Sequence, residues 1–353
     1  MSSPFVWDIY SDQPYPIKDK EYKKKMRLKN SLDYIPLALS NLVFYPSAVA
    51  SMKVFTNVDP KTEYDKKYFY GLGVNLDKGE AQFEFIEELG VKSLIVRIPL
   101  SDIQNLYKYY DFVYRFKKQD PEVKILLNII QDRTHIENHH LLELHILEIF
   151  NTFKNITDEY QIGNAINRTK WGFFSIKEYL KFYKVVQDIR DDKYSTIKLI
   201  GPSVIDFEYY YTIRALFNGY NISYDKLSAL LYVDRRGAPQ NKQMTIFDTK
   251  AKIDMLYALN QMSDKCKSDD IYITEVNWPL KFTAPYAPTS EKECVSEEEY
   301  TKYMIDYFNI AYNSNKIKKV FWHQLIAPGY GLVDNRYGKL RKREAFYQFK
   351  KFL

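Results

Sequence analysis

Cysteine is nearly absent: the 353 residues hold two, Cys266 and Cys294, in no CxxC arrangement. A disulfide framework and a cysteine zinc site are therefore excluded, while one bridge between them is allowed but not demanded. Glycine is scarce, with 12 in the chain, and no GxGxxG phosphate fingerprint is formed, since Gly71-Leu-Gly73 runs on into Val-Asn-Leu. Excess positive charge is scarce outside one stretch. The net charge is +6, and residues 18–29 alone carry seven Lys/Arg against two acids. The rest of the chain is close to neutral, so it offers no basic face for nucleic acid, and that class of partner is excluded.

What the chain has is apolar bulk. Apolar residues make up 46 % and charged residues 27 %, which suits a sizeable core and excludes general disorder. Directly after the basic run, Tyr34 to Met52 contains no charge. Basic-then-apolar order resembles a signal anchor, and Ala48-Val49-Ala50 fits a small-residue cleavage pattern. Pro36, Pro46, Asn41 and three serines argue against a span and for a helix at the membrane interface. The expectation is an arm over residues 1–60, extended or mobile through residue 33, with a peripheral membrane contact through 18–52.

The barrel is expected over residues 61–353. Eight β-branched or aromatic runs fall at 68–76, 91–99, 123–130, 159–164, 197–205, 227–233, 270–278 and 318–326. Their continuous apolar character fits strands covered on both faces. Amphipathic stretches lie between them. Gly90 is placed to end one, Ser175 with Glu178 to open another, and Ser296 before three Glu to open a third. Eight strand–helix repeats predict a single α/β (β/α)8 TIM barrel rather than an open doubly wound sheet.

In such a barrel the site lies at the C-terminal strand ends. The candidates there are Arg97 on the second strand, Asn128 and Asp132 on the third, and Asn164 with Trp171 after the fourth. Tyr232 follows on the sixth, Glu275 and Trp278 on the seventh, and Trp322 with His323 on the eighth. Three tryptophans at one rim, with amides and carboxylates, suit the CH faces and hydroxyl edges of a sugar. Glu275 sits inside the apolar run Tyr272-Ile-Thr-Glu-Val, where a carboxylate is costly unless paired, and Arg97 is the expected partner. His135, His139, His140 and His145 include an i,i+4 pair, but no HExxH pattern, and no metal site is assigned to them.

Seven stretches together carry a family resemblance: YGLGVNLD, VRIPLSD, QIGNAINRTKWG, GPSVIDFE, LYVDRRGAPQNKQ, ITEVNWPL and GYGLVDNRYGKLRKREAF. Over roughly residues 68–353 the chain resembles the clan A retaining glycoside hydrolases. It is most similar to the bacterial branch related to family 39 and found with cell-surface polysaccharide synthesis. The resemblance implies that Glu275 is the nucleophile and that Asn164 bonds the sugar 2-OH. It also implies that Arg97 and Tyr232 hold the nucleophile and that Trp322 floors the sugar subsite. A carbohydrate partner, no cofactor and a place in the bacterial cell envelope follow from it, membrane-associated or periplasmic, with the cytoplasm as the alternative.

One position departs from the pattern. The clan's acid/base Glu follows the strand-4 Asn, and here Asn164 is followed by Ala165. Leu230 is a second departure, where relatives often carry His. Retaining hydrolysis needs two carboxyls about 5–5.5 Å apart, and general acid–base help is worth about 10²–10⁴-fold. The implied activity is therefore a glycoside hydrolase disabled at residue 165, either by an engineered Glu→Ala exchange or by natural loss in a carbohydrate-binding relative. Asp132, Asp234 and Glu208 are the acids that would have to substitute.

Overall fold

The computed structural model describes residues 4–55 and 64–353. A short antiparallel hairpin comes first, β1 (Trp7–Asp8) and β2 (Gln13–Pro14). The barrel strands follow as β3 (Tyr70–Val74), β4 (Ser93–Pro99), β5 (Lys124–Ile130) and β6 (Glu159–Ile162), then β7 (Lys198–Ile205), β8 (Lys226–Leu230), β9 (Ile271–Val276) and β10 (Lys319–Trp322). They pair in sequence order, all parallel, and β10 returns to β3, so the barrel is closed. Seven of the eight expected runs contain one of these strands whole, and the run at 227–233 overlaps β8, which starts one residue earlier. The last pair, β11 (Val333–Asp334) and β12 (Arg341–Lys342), is a small antiparallel ribbon.

Period-two alternation divides the barrel's inside from its outside. Ile95, Leu126, Ile200, Tyr272 and Phe321 meet in one inner layer. Gly71 belongs there because a Cβ at that position would collide with the Phe321 ring. The opposite strand faces pack against the surrounding helices in one large core. The helix ends follow local chemistry. Helix Ala81–Leu89 stops at Gly90 in the left-handed conformation, φ 72°. Ser296 and Glu299 form a reciprocal capping box at the start of helix Glu297–Asn313. Ser175 caps Ile176–Lys193, but the Glu178 carboxylate turns to Arg133 and the Phe174 N–H instead of closing the box.

The expectation of an extended or mobile arm fails over the described part of residues 1–33. Residues 4–33 are docked on the barrel. Helix α1 (Lys20–Lys29) is held by Met26, which packs with Ile17 and Phe174. Helix α2 (Tyr34–Val54) lies along the barrel flank. A buried ion pair pins its start, Asp33 to Arg214 at 3.0 Å, and Phe44 stacks on Phe217 at 3.9 Å between ring centres. The sequence hides this because each anchor on the arm is a single residue whose partner lies far along the chain. The expected arm–barrel boundary at 60/61 lies outside the described residues.

Candidate active site

Glu275 is at the C-terminal end of β9 and is 8 % exposed. Arg97, near the end of β4, points into the barrel two residues after inner-layer Ile95, and its Nη2 donates to Glu275 Oε2 at 2.7 Å. Tyr232, just past β8, donates its hydroxyl to Glu275 Oε1 at 2.5 Å. Both carboxylate oxygens are thus held from two other strands, which offsets the cost of placing a charge here. These three residues, brought together from positions far apart in the chain, line one cavity of about 170 Å³.

The cavity also receives a residue that sequence reasoning missed. Asp12, at the tip of the β1–β2 hairpin, has φ 54° and sends its carboxylate down to Arg97. Arg97 Nη1 lies 3.4 Å from Asp12 Oδ2 and 3.3 Å from its carbonyl oxygen. Gln324 and Asn75 donate to the same carboxylate. The hairpin is fastened around it. Tyr330 donates to the Ser11 carbonyl, Lys170 Nζ donates to Gln13 Oε1 at 2.6 Å, and Trp7 meets Trp171 edge to face. No sequence signal pointed to Asp12, a lone acid whose partners lie up to 312 residues away.

Three carboxyls line the cavity: Asp12, Asp206 and Glu275. Burial works to raise Asp12, but the charges of Arg97 and Lys78 and the hydrogen bond from Gln324 outweigh it, and the carboxyl lies below its ordinary 3.8. Asp206 is likewise pulled below 3.8, burial being overcome by Arg236 and Arg168. Glu208 is tied to Arg168 at 2.6 Å and to Asn167 at 2.6 Å. His323 is pushed well below its usual range by burial and by Arg97, so its ring is neutral. Lys170 faces the cavity with no carboxylate partner among the described residues, and burial lowers its ammonium.

The remaining candidates occupy other places. Asn164 and Asn128 are buried and joined at 3.1 Å, with Asn164 Nδ2 and Asn128 Oδ1 left without partners among the described residues. Ala165 is fully buried, has φ 46° and does not line the cavity. Trp171 lines it, and the Arg97 guanidinium sits 5.9 Å from its ring centre. Trp278 and Trp322 do not line it. Both are fully buried and stack on each other 5.8 Å apart. Alternation explains the second: Phe321 faces in, Trp322 faces out against Tyr300 and Phe308, and His323 faces in again. His323, parallel to Tyr330, is the aromatic surface that β10 presents to the cavity.

Asp132 lines a neighbouring cavity of about 460 Å³ that shares Lys170 and Trp171. It caps helix Arg133–Glu137 and bonds His135 Nδ1 at 2.8 Å, and His135 Nε2 meets His145 Nδ1 at 2.7 Å. Among the described residues, no group of three or more His, Cys, Asp or Glu is placed to hold a metal.

No protein-family model matches the chain, and no curated protein sequence does. Solved structures do. A GH39 enzyme from Xanthomonas axonopodis pv. citri superposes with a TM-score of 0.58 at 13 % identity, over 84 % of this chain and 67 % of that one. A GH39 β-xylosidase from Caulobacter crescentus gives 0.58 at 10 %, over 83 % and 72 %. A GH128 endo-β-1,3-glucanase from Amycolatopsis mediterranei, solved with laminaritriose, gives 0.51 at 11 %, over 81 % and 99 %. The chain therefore shares the (β/α)8 barrel fold of these enzymes, and at these identities the likeness establishes the fold alone.

Proposed function

We propose that the protein is a glycan-binding barrel of the retaining glycoside-hydrolase type, related to family 39, that keeps the nucleophile and has lost the acid. Its ligand would be a polysaccharide or lipid-linked glycan of the cell envelope. The observation that carries this reading is the Glu275 carboxylate, held on one oxygen by Arg97 and on the other by Tyr232 in the lining of a cavity. That arrangement orients a carboxylate to attack an anomeric carbon while the bond to the leaving oxygen breaks. The departing alkoxide then needs a proton. Ala165 has none to give, and Asp12 and Asp206 are both held as anions at neutral pH. Asp132, Asp234 and Glu208 are absent from the cavity lining. A natural glycoside would therefore bind and turn over slowly, by about the 10²–10⁴-fold that acid catalysis supplies.

The test pairs this chain with its Ala165→Glu variant on envelope polysaccharide, counting new reducing ends. The expected result is binding without cleavage by the chain as it stands. Cleavage by the variant would show that the loss is one residue deep. Inertness of both, with binding by both, would favour the alternative of a non-catalytic carbohydrate-binding protein. Efficient cleavage by the parent chain would overturn the reading.

A further inference from the structure

Helix α2 is anomalous for a surface helix. One stripe (Ser40, Phe44 and Ala48) packs on the barrel, and Asn41 Nδ2 donates to the Tyr210 carbonyl at 2.9 Å. The opposite stripe, exposed to solvent, should be polar. It is instead Ile35, Ala38, Leu39, Leu42, Val43, Pro46, Ser47 and Ala50, ending in Lys53 and Val54. Leu42 is 75 % exposed and Val54 76 %. At 1.5 Å per residue this apolar stripe runs about 28 Å. Only 11 % of the helix's most apolar window is buried.

The chemistry beside the stripe identifies its occupant. Helix α1 precedes it and carries five lysines and one arginine against Glu21 alone. Lys20, Lys23, Lys24 and Arg27 share a surface concavity with Leu28 and with Tyr34, the first residue of α2. Leu28 and Leu32 are exposed at the corner between the two helices. Apolar side chains next to a dense basic patch fit a surface that is oily below and negative above. We infer that α1 and the outer stripe of α2 form a monotopic docking face for an anionic phospholipid bilayer. The helix lies in the interface and does not cross it, because its inner stripe and the Asp33–Arg214 ion pair hold it against the barrel. A second copy of the chain would cover the apolar stripe but would leave the six cations of α1 without a counter-charge.

The experiment is flotation of the full chain with phosphatidylcholine vesicles, with and without phosphatidylglycerol. Binding is expected only where phosphatidylglycerol is present, and it should fall as salt rises. Charge reversal of Lys20, Lys24 and Lys25 to Glu should weaken it by about fivefold or more for each cation lost. Leu42→Glu with Val43→Glu, both on the solvent side, should weaken it by at least about tenfold. A circular-dichroism spectrum matching the parent's would show that the variants fold. Three results would each overturn the inference: no binding to either vesicle, equal binding to both, or self-association in sedimentation that Leu42→Glu abolishes without any lipid effect. Resistance to alkaline carbonate extraction would also overturn it, since that would mean a spanning helix.

Discussion

Replacing Arg97 by Met tests the electrostatics of the site directly. The guanidinium serves two buried carboxylates, Glu275 at 2.7 Å and Asp12 at 3.4 Å, and its side chain is only 10 % exposed. Methionine keeps the apolar stem and removes the charge. Asp12 and Glu275 would then share a cavity with only neutral hydrogen-bond donors bonded to them, Tyr232 on one and Gln324 and Asn75 on the other. Breaking a buried pair while stranding its partner costs about 3–5 kcal/mol. The sign of the pH dependence follows from Asp12. In the parent its carboxyl lies below 3.8, so its contribution is complete above the unfolded value and is lost as pH falls through the lower folded value. Without Arg97, the first of the influences lowering Asp12, burial should outweigh Lys78 and the Gln324 hydrogen bond and raise the folded carboxyl above its unfolded value. The variant's deficit should then grow as pH rises through that raised value. Urea denaturation of parent and variant at pH 5 and pH 7 reads this out. A deficit below about 1 kcal/mol at pH 7, or one equal at both pH values, would refute the reasoning. Arg97→Lys keeps the charge and loses the two-pronged geometry, so it should recover part of the loss.

Other consequences are read by different assays. Asp12→Ala removes charge-assisted hydrogen bonds worth about 1.5–3 kcal/mol and should free the hairpin, seen as faster amide exchange over residues 5–15 with the barrel core unchanged. Glu159, at the N-terminal start of β6, is raised by burial, but Lys319 and Lys226 outweigh this and hold it below its ordinary 4.5. With Asp12 and Asp206 also lowered, parent stability should drop as pH falls below about 4, which a pH series of melting temperatures checks. Gly71→Ala drives a methyl into the Phe321 ring and should cost about 1–3 kcal/mol, while Phe321→Leu in the same chain should relieve part of it.

The barrel was legible in the sequence because most of its strands are apolar runs, and burial on both faces leaves that trace, although β6, Glu-Tyr-Gln-Ile, carries it only weakly. The pairing of Arg97 with Glu275 was legible for a related reason, since a carboxylate inside an apolar run needs an opposite charge, whereas Tyr232 was tied to Glu275 only by the family resemblance. Trp322 and Trp278 show where the strand-end argument was too coarse. It located the rim and ignored alternation, which sends Trp322 outward and His323 inward. Asp12 and the docked arm were illegible for a different reason. A two-residue strand pair has no periodicity to read, and contacts across about 300 residues leave no local mark. The charge-free stretch after the basic run did announce an unusual helix, but only the structure shows that its solvent side is the apolar one.

The proposed site is a nucleophile without an acid. An aryl glycoside with a dinitrophenolate leaving group needs no proton to depart, so it isolates the step assigned to Glu275. The decisive measurement is intact-protein mass spectrometry after incubation with a panel of dinitrophenyl 2-deoxy-2-fluoroglycosides, followed by peptide mapping. A covalent glycosyl adduct on Glu275, absent from Glu275→Gln, is the predicted result. An adduct on any other residue, or none from any sugar in the panel while the envelope glycan still binds, would contradict it.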